Sequence, residues 1–339
     1  MEKKSTNQPS DANFHKTITT SDFYIMGHDK FPLEQNRWGH IPLILQKFLS
    51  FDSSKCESKD KKSLNPNMGC LLRHGIEKNA LQSFVACISS CYIKYHPKKE
   101  ILSIKQMKDK IIEILSIDTI LQYYNGNIVD IFASDDYESI DVSPYQTSTL
   151  YEKIYKENPL GFKKVISGFN HFIKYLQDDT ITIDHTYLWD IICLPNPNLF
   201  PQGLNVIIME NRNADLTNNI HVLCPSNYYV SKLFNSSKPT ALIYKEGDFY
   251  EPIYVVSNTV TKSVGPVINK YSIKPIVNMI DFNLIPGLYS LIVKIMKHQQ
   301  ELCFPQIKSN NVYTFENGIA LTTMIEEIAH KYTIKKSLA

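Results

Sequence analysis

Apolar positions along this chain recur with two different periods. Over 104–115, Met107, Ile111, Ile112 and Leu115 fall three and four apart, which puts them on one side of a helix. Further helices are predicted over 148–155, 161–177 and 284–302; the last carries Leu288, Leu291, Ile292, Ile295 and Met296 on its apolar side. The stretch 82–92 is continuously apolar at helical length, which marks a central buried helix. A helix over 184–193 starts with Asp184 as its N-cap and ends at Pro195-Asn196-Pro197. A short amphipathic helix follows Pro42 over 43–49, and a last one covers 321–331.

The second period is that of strands. The run 204–210 is apolar and β-rich without alternation, the pattern of a central strand buried on both faces. The runs 240–244 and 251–256 flank Gly247-Asp248, a turn signal between strands, and read as a hairpin. Residues 70–76 lead through a turn into the buried helix, and 53–67 is a charged loop. The Ser-, Thr-, Asn- and Lys-rich residues 1–22 have too little apolar content to offset the entropy of ordering, and are expected to be a disordered arm.

These elements predict an α+β fold: a small, mostly antiparallel sheet built from 204–256 and packed on the helix 82–95. A helical block over 100–193 wraps it, and a helical extension follows. The expected organisation is an arm (1–22), an α+β domain (23–260) with a helical insertion at about 100–180, and a C-terminal helical extension (261–339).

Charge and cysteine content narrow the classes. With 36 Lys+Arg against 34 Asp+Glu among 339 residues, no global field recruits nucleic acid, so any such binding is local. No run reaches the about 18 apolar residues of a membrane span, and the polar N-terminus has no signal-peptide core, so a soluble intracellular protein with no membrane partner is expected. The seven cysteines are scattered and odd in number, which argues for reduced thiols. Few Gly among many Ile, Asn, Lys and Tyr match the codon bias of an AT-rich genome.

Three segments together resemble the ovarian-tumour (OTU) branch of the papain-like cysteine peptidases. They are Leu81-Gln82-Ser83-Phe84-Val85-Ala86, the pair 187–192 and 203–208, and the hairpin 242–253. The resemblance implies a nucleophilic Cys at the start of the central helix, where the helix dipole stabilises a thiolate, and a general-base His just after the hairpin turn. Ser83 stands at the first position, beside Gln82, and Phe249 at the second. A serine without a base is a poor nucleophile. Arg37-Trp38-Gly39, Leu71–Ile76 as Leu71-Leu72-Arg73-His74-Gly75-Ile76, Tyr187-Leu188-Trp189-Asp190 and Pro195-Asn196-Pro197 also look like segments of proteins from nucleocytoplasmic large DNA viruses. That likeness implies a viral protein in the host cytoplasm, at the viral factory or packaged in the virion.

The expected function is therefore a non-catalytic binding or scaffold protein on a degenerate OTU-like fold. It would hold a viral, host or ubiquitin-like protein in the groove between Ser83 and the hairpin 240–256, or on another face, with no cofactor and no metal. One alternative is an active deubiquitinase-type hydrolase using Cys87. A second is a nucleic-acid-binding protein of viral gene expression whose patch is Lys94, Lys98, Lys99 and Lys105, with Lys108 and Lys110 nearby. Cys87 with Cys91, and Cys70 with His74, have a four-residue spacing that can share a metal, although in an apolar helix free Cys behaves as a small hydrophobe. Asp184-His185 is expected to cap a helix with the ring toward solvent, and His221 to lie in a strand. Glu210 with Arg212 fails as a nuclease motif because arginine does not titrate, and Asp135-Asp136 and Asp178-Asp179 read as loop charges.

Overall fold

The computed structural model describes residues 24–59, 63–66, 68–96, 100–212, 219–225, 238–261, 268–274, 285 and 287–303. In chain order the elements begin with β1 (Ile25–Met26), β2 (Trp38–His40), α1 (Leu43–Phe48), β3 (Gly69–His74) and α2 (Ser83–Tyr95). The helical block follows: α3 (Ile104–Ile114), α4 (Asn127–Phe132), α5 (Pro159–Gln177) and α6 (His185–Cys193). Then come β4 (Asn205–Asn211), β5 (Ile220–Val222), β6 (Thr240–Glu246), β7 (Phe249–Thr261), β8 (Ile268–Lys274) and α7 (Leu288–Cys303).

The result is a mixed α+β fold around an eight-stranded sheet of order β1-β2-β3-β7-β6-β4-β5, with β8 also paired to β7. Most pairs are antiparallel; β1 with β2 and β4 with β6 are parallel. The sheet is larger than the one expected from 204–256. Residues 70–74, expected to lead through a turn, form β3 and add a whole edge through β2 and β1. The hairpin strand expected over 251–256 runs on to Thr261 as β7, and 268–274, inside the expected helical extension 261–339, is strand β8 paired with it.

Strand alternation sorts the core. Val206 and Ile208 of β4, Ala241 and Ile243 of β6 and Tyr250 of β7 face α2 and the helical block. Ile207 and Met209, Leu242 and Tyr244, and Ile253 and Val255 face the other way, onto α1 and α7. Both faces are covered, which is why 204–210 reads as apolar without alternation. On α7, Leu288, Ile292, Ile295 and Met296 are the buried side, as its periodicity predicts. This helix, expected as part of a separate extension, packs on the sheet.

Within the helical block the ends are fixed by local chemistry. Ser103 and Gln106 form a reciprocal capping box at the start of α3, and the Asn158 side chain accepts from the Gly161 amide at the start of α5. Helix α5 crosses α4 at Gly168, where a Cβ would lie 2.8 Å from the Val129 Cα, so only glycine permits that approach. The expected helix over 148–155 contains a π-helical turn at Tyr151–Tyr155.

All described residues belong to one compact unit. The expected arm 1–22 and the expected helix 321–331 lie outside the described residues. Among the described residues no helix is long and apolar enough to cross a membrane.

Candidate functional site

The amino end of α2 is held by the turn before it. Asn79 Oδ1 accepts from the amides of Leu81 (2.9 Å) and Gln82 (3.2 Å). The buried Gln82 side chain donates to the carbonyls of Asp178 (2.8 Å) and Ile181 (3.1 Å), tying this helix start to the connection between α5 and α6. Ser83 follows at the first helical position and donates from Oγ to the carbonyl of Asp248, at 2.9 Å. Asp248 belongs to the two-residue β6–β7 turn, in which Gly247 takes a φ of 56° that favours glycine. The helix start and the hairpin turn, expected to flank a groove, are thus in direct contact. Ser83 is only 1% exposed, so no groove opens between them.

The residue of the hairpin that meets α2 is Tyr250, not Phe249. Tyr250 is buried with its ring 5.2 Å from that of Phe84, whereas Phe249 is half-buried and, by strand alternation, belongs to the opposite face. A position assigned one residue early changes faces, because the side-chain period of a strand is two.

The imidazole at this junction comes from the start of α6. His185 Nδ1 lies 2.9 Å from the Tyr250 hydroxyl, and its ring packs 6.0 Å from Phe84 and 5.8 Å from Trp189. It does not point to solvent as expected. Asp184 caps α6 as predicted, accepting from the Thr186 amide at 2.8 Å, and its carboxylate lies 4.0 Å from Nδ1. Burial lowers the His185 pKa, and the Asp184 charge opposes that only in part. Burial also pushes the Tyr250 phenol up, so at neutral pH the pair is a neutral imidazole beside a neutral hydroxyl. At the rim, Glu210 accepts from Lys245 and from Arg212 (2.8 Å). Burial works against its charge, but these two partners outweigh it and hold the carboxyl below its ordinary range.

Among the described residues no nucleophile stands ready at this junction. Ser83 Oγ is committed to a backbone carbonyl. Cys87, one turn further along α2, is fully buried, and burial raises its thiol well above the usual value, with Cys91 and Glu251 adding to the rise. A thiolate is disfavoured there. Cys91 accepts instead from the Tyr254 hydroxyl at 3.9 Å, and Ser90 shares a 2.8 Å hydrogen bond with the same hydroxyl, which anchors α2 along β7.

The other candidate residues are dispersed. Cys70 is disulfide-bonded to Cys56, and Cys224 to Cys303, so four of the seven cysteines are paired where reduced thiols were expected; Cys87, Cys91 and Cys193 are buried thiols outside any disulfide. The turn at 53–55 sets Cys56 beside Cys70 of β3, and the end of α7 lies beside the segment after β5, contacts that scattered spacing along the chain does not reveal. Among the described residues no three His, Cys, Asp or Glu side chains are placed to hold a metal. Of the basic patch, Lys98 and Lys99 lie outside the described residues, as does the side chain of Lys94, and Lys105 is exposed on α3. Lys108 is buried, donating to the Asp178 carbonyl at 3.0 Å and to the Asp179 carboxylate, and Lys110 pairs with Glu113 at 2.7 Å, so neither is a free cation.

Sequence reasoning missed His185 as a junction residue. The available signal was the apolar run Leu188-Trp189 one turn along α6, against whose indole the His185 ring packs. No protein-family model, curated protein or solved structure matches the chain.

Proposed function

We propose that the chain is a non-catalytic binding or scaffold protein on a degenerate OTU-like layout, and that it holds a protein partner. One observation carries this reading: the hydroxyl at the helix position where such peptidases need a nucleophile is buried and bonded to the hairpin turn through Asp248. A nucleophile must be ionisable by a positioned base and open to substrate, and Ser83 is neither. The nearby imidazole is tied to Tyr250 rather than to Ser83 or Cys87. With the junction closed, the partner is held on another face.

The viral origin implied by the sequence resemblance remains part of this proposal. The two disulfides favour a place in the particle over a reducing cytosol, since such bonds persist in oxidising settings and on virion surfaces. Purification of the tagged full chain from producing cells, followed by size exclusion, tests the function. A stoichiometric protein complex that survives both Ser83→Ala and Cys87→Ala is expected. A bound protein that is cleaved by the wild type and spared by Cys87→Ala contradicts the reading.

A further inference from the structure

Four aromatic rings from four segments meet at the surface of the helical block. Tyr187 of α6 packs edge-on against Tyr124, in the turn before α4, at 5.6 Å, and against Phe132 of α4 at 5.2 Å. Tyr175 of α5 lies 5.0 Å from Phe132 and 5.8 Å from Tyr187. Phe132 also rests 5.1 Å from the buried Phe172, which seats the group on the core. All four rings are half-buried, and Ile131, beside Phe132 in the chain, is 47% exposed. Packed tyrosines of this kind offer a large contact area at low entropic cost, and Tyr is among the residues that dominate protein interfaces.

The surroundings of the rings favour a cation. Asp184 spends Oδ1 on the Thr186 amide (2.8 Å), while its Oδ2 lies 4.0 Å from the His185 ring, and the side chain is 37% exposed. Burial raises the phenols of Tyr175 and Tyr187, and the Asp184 charge adds to both, so the carboxylate stands beside rings whose hydroxyls stay neutral. The whole block carries the same sign. Over 100–193, fifteen Asp and Glu stand against eight Lys, a net of −7 in a chain whose total is +2. Such a field repels nucleic acid and draws a basic partner.

We propose that this aromatic surface binds a Lys- or Arg-rich segment of a partner protein. A cation over the face of Tyr or Phe is attracted by the ring quadrupole, and a carboxylate at the edge adds a charge-assisted hydrogen bond. This site is the other face on which the reading above places a protein partner, and it rests on that reading.

Isothermal titration of the full chain with hexa-arginine tests the proposal, with hexaglutamate titrated in parallel. Saturable binding weakened by added salt is expected for the first and none for the second. Asp184→Asn keeps the helix cap and loses the charge, and Tyr187→Leu keeps apolar bulk and loses the π face; each should weaken hexa-arginine binding about fivefold or more. Glu152→Gln removes one exposed acid near the start of α5, away from Tyr175 at its end, and should weaken binding less than about twofold. Absence of saturable binding, equal binding of hexaglutamate, or a loss in either patch variant no larger than in Glu152→Gln would each overturn the proposal. Self-association of the chain that Tyr187→Leu abolishes would also overturn it, by assigning the surface to a second copy. A chain that yields a protein complex from cells but fails these titrations refutes this surface alone, whereas cleavage of the bound protein refutes the non-catalytic reading.

Discussion

Arg73 is fully buried, and its guanidinium spends its donors on the Glu251 carboxylate and on the carbonyls of His40 (3.0 Å) and Lys30 (2.8 Å). Glu251 also accepts from the Leu33 amide. Burial raises the Glu251 pKa, and the Arg73 charge opposes that, so removing the arginine leaves a buried carboxyl without its counter-charge. Arg73→Ala should therefore cost about 3–5 kcal/mol, measured by urea unfolding, while Arg73→Met combined with Glu251→Leu should cost much less. His185 gives a pH signature. Its folded pKa lies below the ordinary 6.5, so the unfolded chain binds the proton more readily, and stability falls as pH drops below about 6.5. Burial lowers His40 in the same direction. The urea midpoint should drop between pH 7.5 and 5.5, and His185→Phe should make that drop smaller. At this scale the sequence was legible where one residue decides its own role, as for the Asp184 cap. It was not legible for Phe249 and Tyr250, because facing is set by register and register is a property of the whole ladder.

At the scale of elements, the chain passes from α6 to β4 through Gly203, whose φ is 70° and whose added Cβ would lie 2.1 Å from the Cys193 carbonyl oxygen. Gly203→Ala combines left-handed strain with a backbone clash and should cost about 2 kcal/mol or more in the same unfolding measurement. Helices α3, α5 and α7 were readable because apolar periodicity and caps are local. Strand β3 was not: Cys70, Leu71 and Leu72 carry no alternation, since Leu71 enters the core under α1 and α7 while Cys70 and Leu72 enter a third cluster around Trp38 and Tyr254. A strand buried on both faces looks like any short apolar run. The short strands β1 and β2 exist only through their neighbours, so their own residues could not announce them, whereas the apolar flanks Ile220 and Val222 did place His221 in a strand, β5.

For the whole molecule, the two disulfides clamp the sheet at two places: Cys56–Cys70 at β3, third in the strand order, and Cys224–Cys303 from just after the edge strand β5 to the end of α7. The latter spans a sequence separation of 79 and restricts the unfolded chain over that length. Removing it by Cys224→Ser/Cys303→Ser should lower stability by about 2–5 kcal/mol. Titration of the oxidised, denatured chain with a thiol reagent should count three thiols, those of Cys87, Cys91 and Cys193, and a count of seven would contradict the pairing. The central claim is that the start of α2 is closed against the hairpin and holds no working nucleophile. Incubation of the native full chain with an electrophilic ubiquitin-derived suicide probe, read by intact mass, tests it most directly. The account predicts no adduct; an adduct that Cys87→Ala or Ser83→Ala abolishes would contradict it.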